Sequence, residues 1–279
     1  MNHNSKIVWA NTIVKNDERW IWYAVSSIVD HVDKILIWDT GSTDKTLEIV
    51  RKLKEENPDK IFFKEVKSVD PHEFSLFRQE MLDASICDWV IVLDSDEIWP
   101  EDATRELIQT VNDDKADVVV APFVNFIGDV FHYQDKSAGR YKIDDRVGNY
   151  TIKAFRRKIP GLRVANDYGS EGYIDGSKQF LQSSFKVRRQ FLNKPFYHAT
   201  HLIRSSSDVG VMGREGKVKH EIGESFPLDF YYPEVFFRER PKVVESPWKV
   251  MDAKFKFRAF FETPLRKIKR RLWWGKAGY

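Results

Sequence analysis

One stretch constrains the fold more than any other: the apolar residues 90–93 lead directly into the acidic stretch 94–97. A short apolar run of this kind is typical of a strand buried in a parallel sheet. Ligands of open α/β sheets bind at the carboxyl ends of the strands, so Asp94 and Asp96 are predicted to lie where a ligand is held. Hard carboxylate oxygens there favour Mg²⁺ or Mn²⁺ and, through the ion, a phosphorylated substrate. The alternative is an acidic turn in which Asp96 or Glu97 caps the helix that follows.

The first half of the chain alternates between the periodicities of strands and helices. Strand-like runs occur at 7–14, 35–38, 61–63, 90–93 and 117–126, with helix-like patterns at 18–29, 45–54, 74–82 and 102–111. This alternation predicts an α/β fold with a mostly parallel central sheet flanked by helices. Asp17 is expected to cap the helix at 18–29, because an aspartate before an apolar-periodic run is a common cap.

The pattern changes in the second half. After Phe126 the chain becomes loop-rich, with one further strand-like segment at 151–156. We therefore expect one large domain over residues 1–237, whose loop-rich half is 127–237. The segment 238–279 is a separate basic and aromatic tail, because it holds 13 Lys/Arg against 4 Asp/Glu while the whole chain has a net charge of only +3.

Composition excludes several classes of protein. With 279 residues and 42% hydrophobic content, the chain is long enough for a large core. No apolar run approaches the ~18 residues of a membrane-spanning helix. Residues 1–6 lack the apolar region of a signal peptide, and the single cysteine, Cys87, rules out an intrachain disulfide and a Cys-cluster zinc site. A cytoplasmic protein is the expectation.

A second acidic motif follows the predicted strand at 35–38. Asp39 opens the sequence Asp-Thr-Gly-Ser-Thr-Asp, and a carboxylate at that place can accept hydrogen bonds from a nucleotide base or from ribose hydroxyls. Gly41 permits a tight turn, and Ser42 or Asp44 can cap the next helix. A well-capped connection between strand and helix, without a ligand, is the alternative.

Taken together and in order, these motifs resemble the family 2 glycosyltransferases, which have the GT-A fold. The resemblance covers about residues 7–100 and rests on the opening segment 12–18, the Asp39 loop, Arg78 on a helix and the Asp94-Ser-Asp96 sequence. It implies a nucleotide-diphosphate sugar donor carrying UDP, GDP or dTDP, a divalent cation (Mn²⁺ or Mg²⁺) and inversion at the anomeric carbon. It also implies that residues 1–126 bind the donor and that the half after Phe126 binds the acceptor.

The resemblance assigns roles to individual residues. Asp39 is expected to contact the nucleotide base, Asp96 to bind the metal ion, and Asp94 to bind ribose, the metal or a metal-bound water. The residues expected to bind the nucleotide sugar are Thr12, Val14, Asn16, Glu18, Asp39, Gly41, Ser42, Arg78, Asp94 and Ser95.

An inverting transfer also needs a base to accept the proton of the acceptor hydroxyl. The resemblance places an acidic residue after the fifth strand, where this chain has Asp167 and Glu171. We favour Glu171 as the catalytic base. The alternative is that both acids only solvate a loop.

Two histidines follow in the sequence Tyr-His-Ala-Thr-His at 197–201. Some GT-A enzymes add a late histidine to the metal shell, and His198 and His201 resemble that arrangement. Either histidine can also contact the diphosphate together with Arg204. The alternative is a structural histidine with a satisfied ring.

The tail mixes basic and large apolar residues. Pro264 is expected to interrupt any single helix there. An apolar stripe with Lys/Arg opposite is typical of a helix lying on an anionic membrane, which suggests a peripheral position on the cytoplasmic face; the stripe is Phe257, Phe260, Phe261, Leu265, Ile268 and Leu272. The alternative is that the stripe packs on the catalytic domain. Nucleic-acid binding is not expected, because no recognised module is present.

The function predicted from these features is metal-dependent, inverting transfer of a sugar to a glycan, glycolipid or protein-linked acceptor, in glycan or lipopolysaccharide-type synthesis. A nucleotidyltransferase is one alternative, although the chain lacks a Gly-rich phosphate loop after the first strand. A non-catalytic module that binds a membrane or a glycan is the other. Three costly carboxylates, Asp39, Asp94 and Asp96, argue against it.

Overall fold

A computed structural model of the chain describes residues 5–66, 70–207, 211, 214 and 217–272. The strands are β1 (Val8–Val14), β2 (Lys34–Asp39), β3 (Ile61–Glu65), β4 (Trp89–Val92), β5 (Glu97–Ile98), β6 (Val118–Ile127), β7 (Asp129–Tyr133), β8 (Tyr141–Ile143), β9 (Arg146–Gly148), β10 (Tyr150–Arg156), β11 (Arg163–Ala165), β12 (Gly172–Ile174), β13 (Arg189–Phe191), β14 (Phe196–His201) and β15 (Glu224–Ser225). The helices are α1 (Ile21–Ile28), α2 (Thr46–Glu56), α3 (Pro71–Ala84), α4 (Glu101–Asn112) and α5 (Ala253–Leu272).

The central sheet has the strand order β15-β7-β6-β10-β4-β1-β2-β3. The strands β4, β1, β2 and β3 are mutually parallel, and β10 lies antiparallel between β4 and β6. The predicted α/β architecture with helices flanking a sheet is confirmed. The order 3-2-1-4 creates a topological switch point between β1 and β4, so the residues that follow these two strands meet at one edge of the sheet.

The core explains why the first strands form where the sequence indicates. Ala10 on β1, Ile37 on β2 and Ile91 on β4 are buried in one apolar cluster, and Ile21 and Val25 of α1 pack against it. Strands buried on both faces read as continuous apolar runs, which is the pattern that predicted them.

The helix cap expected at Asp17 is wrong, and so is the cap that the alternative interpretation gave to Asp96 or Glu97. The carboxylate of Asp17 does not cap α1: its backbone carbonyl accepts from Trp20 and Ile21, while its side chain turns away to Arg204. Neither Asp96 nor Glu97 caps α4, whose capping residue is Pro100. Glu97 instead begins the two-residue strand β5, which pairs with β14.

The second half of the chain builds an aromatic cluster beside the sheet. Phe126 of β6 stacks on Tyr197 of β14 with ring centroids 5.2 Å apart, and the Phe236 ring meets Trp248 edge to face at 5.5 Å. Val244 is buried in the same core. The beginning of the expected tail 238–279, including Val244 and Trp248, therefore packs on the body of the protein. Most of the basic residues of the tail lie in α5.

A single helix, α5, runs through Pro264, which contradicts the expected interruption. Proline leaves one carbonyl without its helical partner, but contacts outside the helix hold the turns on both sides. Before it, the Thr263 hydroxyl donates to the carbonyl of Ala259 and accepts from the backbone of Ile222; after it, Arg270 binds Glu221. The basic-aromatic pattern continues to residues 273–274, and those two positions and the Leu272 side chain lie outside the described structure.

In the described part of the chain, no helix is both long enough and apolar enough to cross a membrane.

Candidate active site

The carboxyl ends of β1, β2 and β4 border a cavity of about 210 Å³. Its described lining residues are Ile13, Val14, Lys15, Thr40, Phe74, Arg78, Asp94, Ser95, Asp96, Tyr168, Glu171, His198, Thr200, Arg204, Val211, Arg214 and Lys217. Among these residues five Lys/Arg face three carboxylates. The excess of cations, with carboxylates between them, favours a polyanionic ligand such as a diphosphate.

Asp96 lines the cavity and is 1% exposed. Its Oδ2 atom lies 2.7 Å from a guanidinium nitrogen of Arg204 and 3.3 Å from Nε2 of His198. Burial opposes ionisation, but Arg204 and His198 outweigh it and hold the pKa of the Asp96 carboxyl well below its usual value. The same pairing raises the pKa of His198 against the effect of burial. The Asp96 carboxylate is therefore ionised in the cavity.

Asp94 is more exposed than Asp96 and lies between two cations. Arg78 Nη2 is 3.4 Å from its Oδ1, and Lys153 Nζ is 3.7 Å from its Oδ2. Burial opposes ionisation, but Lys153 and Arg78 lower the pKa of Asp94 to about 2. Lys153 also binds the buried Glu97 at 2.6 Å, and burial raises the pKa of Glu97 to about 7 despite this partner.

A buried ionic network connects Asp96 with the end of β1. Arg204 bridges Asp96 and Asp17, and Ser95 donates its hydroxyl to the Asp17 carboxylate. Asp17 is fully buried, so its charge depends on these partners. Asp17 therefore sets the position of Arg204 at the cavity wall.

In the expected nucleotide-binding loop after β2, the Asp39 carboxylate is bound by donors of the same loop. One oxygen of the buried Asp39 carboxylate accepts from the backbone N–H groups of Gly41 and Ser42 at 2.8 Å, and the other accepts from the Ser42 hydroxyl. Gly41 has φ of +94°, a conformation that suits glycine. The capping position of α2 is Lys45, and not the expected Ser42 or Asp44. The Asp44 carboxylate accepts at 2.9 Å from the backbone of Thr46, the first residue of the helix.

Asn16 and Glu18 connect this loop to the segment after β14 by hydrogen bonds. The Asn16 side chain accepts from the Thr43 backbone at 2.7 Å and donates to the Ser207 carbonyl at 2.8 Å. Glu18 accepts from the backbone N–H groups of Lys45 and Ser206. Both residues border the cavity region without being among its lining residues.

The other predicted donor-binding residues fall in different places. Val14, Arg78 and Ser95 line the cavity. Thr12 is fully buried inside β1, and its hydroxyl has no hydrogen-bond partner among the described residues.

The two candidate bases separate. Glu171 lines the cavity with its Oε1 atom 3.9 Å from Nε of Arg78. Asp167 lies on the surface, where its carboxylate pairs with the His72 ring at 3.0 Å. The structure therefore brings Glu171, and not Asp167, to the aspartates.

The two histidines lie in different environments, and the pairing of β14 with β6 is irregular between them. His198 faces Asp96, with Nε2 3.3 Å from Oδ2. His201 is buried, and its Nδ1 lies 2.9 Å from the Lys217 carbonyl while its Nε2 lies 3.0 Å from Nζ of Lys219. Burial and the neighbouring Lys219 lower the pKa of His201 to about 3. The metal-binding role expected for His201 is not supported by this position.

Sequence reasoning missed the cavity residues Lys15, Arg214 and Lys217. It also missed Lys153, which pairs with Asp94 and Glu97 without being among the described lining residues. Lys153 sits at a bulge of β10, where the pairing with β6 steps from Ile152 to Ala154, and a bulge re-aims the extra side chain. A lysine inside an otherwise apolar strand was the available signal. Arg214 and Lys217 lie in none of the described helices and strands, and the sequence around them carries no motif that would have indicated a role.

The donor set fits a divalent cation. Oδ2 of Asp96 is buried beside Arg204 and His198. Neither these two cationic side chains nor any other donor among the described residues meets it with the angles of a hydrogen bond. No group of three or more His, Cys, Asp or Glu side chains in the described structure is arranged as a metal shell. Mg²⁺ and Mn²⁺ are commonly held by one or two carboxylates together with substrate phosphates, so Asp96 with Asp94 or His198 is a sufficient protein contribution.

Solved structures with a similar arrangement include S. aureus TarS 1–349 in complex with UDP-GlcNAc, with 15% identity, a TM-score of 0.49 and coverage of 69% of this chain and 58% of that one. The mannosyltransferase PcManGT from Pyrobaculum calidifontis in complex with GDP-Man and Mn²⁺ is 18% identical, with a TM-score of 0.46 and coverage of 70% and 57%. The chain spans about 60% of the length of the TarS 1–349 fragment that it matches. A comparison with curated proteins gives no match.

The family model of glycosyl transferase family 2 matches residues 12–168. This span is more than half of the chain and runs from β1, through the Asp94-Ser-Asp96 sequence, to the loop that carries Tyr168. The expected GT-A architecture is confirmed by this match together with the observed sheet. The chain belongs to glycosyl transferase family 2.

Proposed function

We propose that the protein is a metal-dependent, inverting glycosyltransferase that moves a sugar from a nucleotide-diphosphate donor to a hydroxyl acceptor in glycan or lipopolysaccharide-type synthesis. One observation carries the proposal: Asp94 and Asp96 follow β4 into a cavity whose described lining is rich in Lys and Arg. Carboxylates for a divalent ion and cations for phosphate are the two requirements of such a donor.

The cations of the cavity act on the diphosphate. Lys15, Arg214 and Lys217 line it, and charge-assisted hydrogen bonds from such groups to phosphate oxygens stabilise the charge that develops as the glycosidic bond breaks. Asp96, with Asp94 or His198, would hold Mn²⁺ or Mg²⁺, which supplies further neutralisation of the leaving diphosphate when bound.

Asp39 recognises the base in this proposal. A carboxylate has about four lone-pair sites, so the three donors from Gly41 and Ser42 leave capacity for one N–H group of a uracil, thymine or guanine. Asn16, Gly41, Ser42 and Glu18 hold the loop in shape.

Glu171 is the proposed base. Arg78 bridges it to Asp94, at 3.9 Å and 3.4 Å, which orients both carboxylates toward one space. A base must lie within reach of the acceptor hydroxyl, and Glu171 is the carboxylate among the described lining residues that does not belong to the loop after β4.

A thermal-shift panel tests the proposal. UDP, GDP, dTDP and their sugars are added with and without Mn²⁺ to the wild type, to Asp96→Asn and to Asp102→Asn. Asp102 is an exposed carboxylate paired with Lys194 on the surface, which makes it the matched control. A ligand at 100 times its Kd stabilises by about 2.7 kcal/mol.

We expect one nucleotide to raise the Tm strongly only with the ion, in the wild type and in Asp102→Asn but not in Asp96→Asn. The anomeric configuration of the product, read by NMR after transfer, checks inversion. The proposal is wrong if no nucleotide diphosphate shifts the Tm with any divalent ion.

A further inference from the structure

Helix α5 presents its apolar side chains to solvent instead of to the body of the protein. Ala259 and Thr263 are buried against the body. Five large apolar residues on the outside, which we call the α5 stripe, are between 52% and 71% exposed: Phe257, Phe260, Phe261, Leu265 and Ile268. The alternative considered from the sequence, that the stripe packs on the catalytic domain, is wrong for these five residues.

The α5 stripe is continuous. Its members recur three or four residues apart, which places them on one side of a helix. The Phe261 ring lies 5.2 Å from the Phe257 ring and 5.3 Å from the Phe260 ring, measured between centroids. A contiguous exposed apolar patch of this kind marks an interaction surface.

Charge identifies the surface that fits the α5 stripe. The helix carries eight Lys/Arg and a single acidic residue, Glu262. Glu262 forms salt bridges with Arg258 and Arg266. At 100° per residue, Lys256 and Lys267 lie along one edge of the stripe and Arg258 along the other. An apolar stripe between two rows of cations complements an anionic lipid surface, with headgroups at the edges and acyl chains at the centre.

A second copy of the chain fits less well. Pairing two α5 stripes would bring two strongly basic helices side by side, and their like charges repel. Eight cations in 20 residues also oppose insertion across the bilayer, while they favour a helix that lies in the interface.

We propose that α5 binds the surface of an anionic membrane, with its axis in the membrane plane and the α5 stripe inserted between the headgroups. The segment 217–222 connects α5 with the cavity. Arg270 and Thr263 of α5 bind Glu221 and the backbone of Ile222, and Lys217 at the start of the segment lines the cavity. Docking of α5 therefore fixes how far the cavity stands from the lipid. If the acceptor is lipid-linked, a consequence that rests on the proposed function, this spacing presents it to the donor.

Vesicle co-sedimentation tests the proposal. The full chain is mixed with vesicles of phosphatidylcholine, with or without phosphatidylglycerol, at low and high salt. We expect binding to the anionic vesicles that weakens with salt, at least tenfold weaker binding for the double variant Phe260→Ser/Phe261→Ser, and about fivefold weaker binding for each cation removed by Lys256→Gln or Lys267→Gln.

The controls separate folding and catalysis from binding. Phe185→Ser removes a ring that is 76% exposed outside α5, and it should bind as the wild type does. Asp96→Asn should also bind vesicles fully, so a failure of the proposed transfer leaves this result intact. All variants alter exposed or cavity side chains, and an unchanged Tm of the α5 variants confirms that they fold.

Three outcomes would overturn the proposal. The first is no sedimentation with phosphatidylglycerol vesicles at low salt. The second is equal binding by the wild type and the Phe260→Ser/Phe261→Ser variant. The third is a dimer in light scattering that this variant dissolves while vesicles bind neither protein, because the stripe then belongs to a contact between copies.

Discussion

Arg204 shows how a single residue organises the cavity. Its guanidinium joins the fully buried Asp17 to Asp96, so one side chain compensates two carboxylates that come from distant parts of the sequence. The pairing raises the pKa of Arg204 above its usual value against the effect of burial. In a site of low polarity such a network holds only if every member is matched.

The stability of this network is testable at Asp17. Asp17→Asn removes one of the two carboxylates that compensate the buried guanidinium of Arg204. We expect this variant to lower the free energy of unfolding by about 3 kcal/mol. Asp30→Asn removes the exposed partner of Arg238 and should cost less than about 1 kcal/mol. Urea denaturation of both variants gives the comparison. Equal small losses would mean that Arg204 does not depend on Asp17.

The choice of base is testable at Glu171. If it accepts the acceptor proton, Glu171→Gln should lower kcat by about 10²-fold or more while donor affinity changes little. Asp167→Asn, four residues earlier on the surface, is the matched control and should keep kcat within a factor of about two. Steady-state kinetics with the donor that the thermal-shift panel selects measures both. The assignment fails if the Asp167 variant is the impaired one.

At the scale of elements, β14 divides two environments. His198 faces the aspartates, while His201 faces a buried pocket formed by the segment 217–219. In the neutral ring, Nδ1 donates to the Lys217 carbonyl and Nε2 accepts from Lys219, which satisfies both nitrogens. A protonated His201 would lose this second contact.

This arrangement predicts a pH dependence of stability. Because the pKa of His201 is lowered to about 3 in the folded state, its stabilising contribution is present above the unfolded pKa of 6.5 and is lost as the pH falls toward 3. Between pH 7 and pH 5 we expect the His201 contribution to fall by about 2 kcal/mol. Glu97 acts in the opposite direction over the same range, because burial raises its folded-state pKa to about 7. Lys219, whose pKa burial lowers to about 8, makes its own change above this window.

Unfolding at several pH values checks this prediction. The change in stability of His201→Gln between pH 7 and pH 5 should differ from that of the wild type by about 2 kcal/mol, whereas replacement of the exposed His72 by Gln should leave the wild-type dependence unchanged. A variant at His201 with the same slope as the wild type would show that the buried ring does not cause the loss.

At the scale of the whole molecule, the topological switch between β1 and β4 decides where the site lies. The apolar runs before Lys15 and Asp94 are local features, and their lengths and composition predicted strands that end where the carboxylates begin. The α/β architecture and the location of Asp39, Asp94 and Asp96 at one edge of the sheet were predictable for this reason. Strand ends are encoded by neighbours in the sequence.

Other features depend on the path of the chain through space. The bulge that turns Lys153 toward Glu97 and the separation of Glu171 from Asp167 arise from contacts between residues far apart in sequence. The sequence predicted a basic and apolar tail, but it wrongly placed a helix break at Pro264, and it could not say which face of α5 would be outside. Local patterns therefore determined the strands, the acidic loops and the amphipathic character of the tail. The tertiary structure alone decided the unbroken helix and the partners of each element, because long-range packing and charge pairing have no local signature.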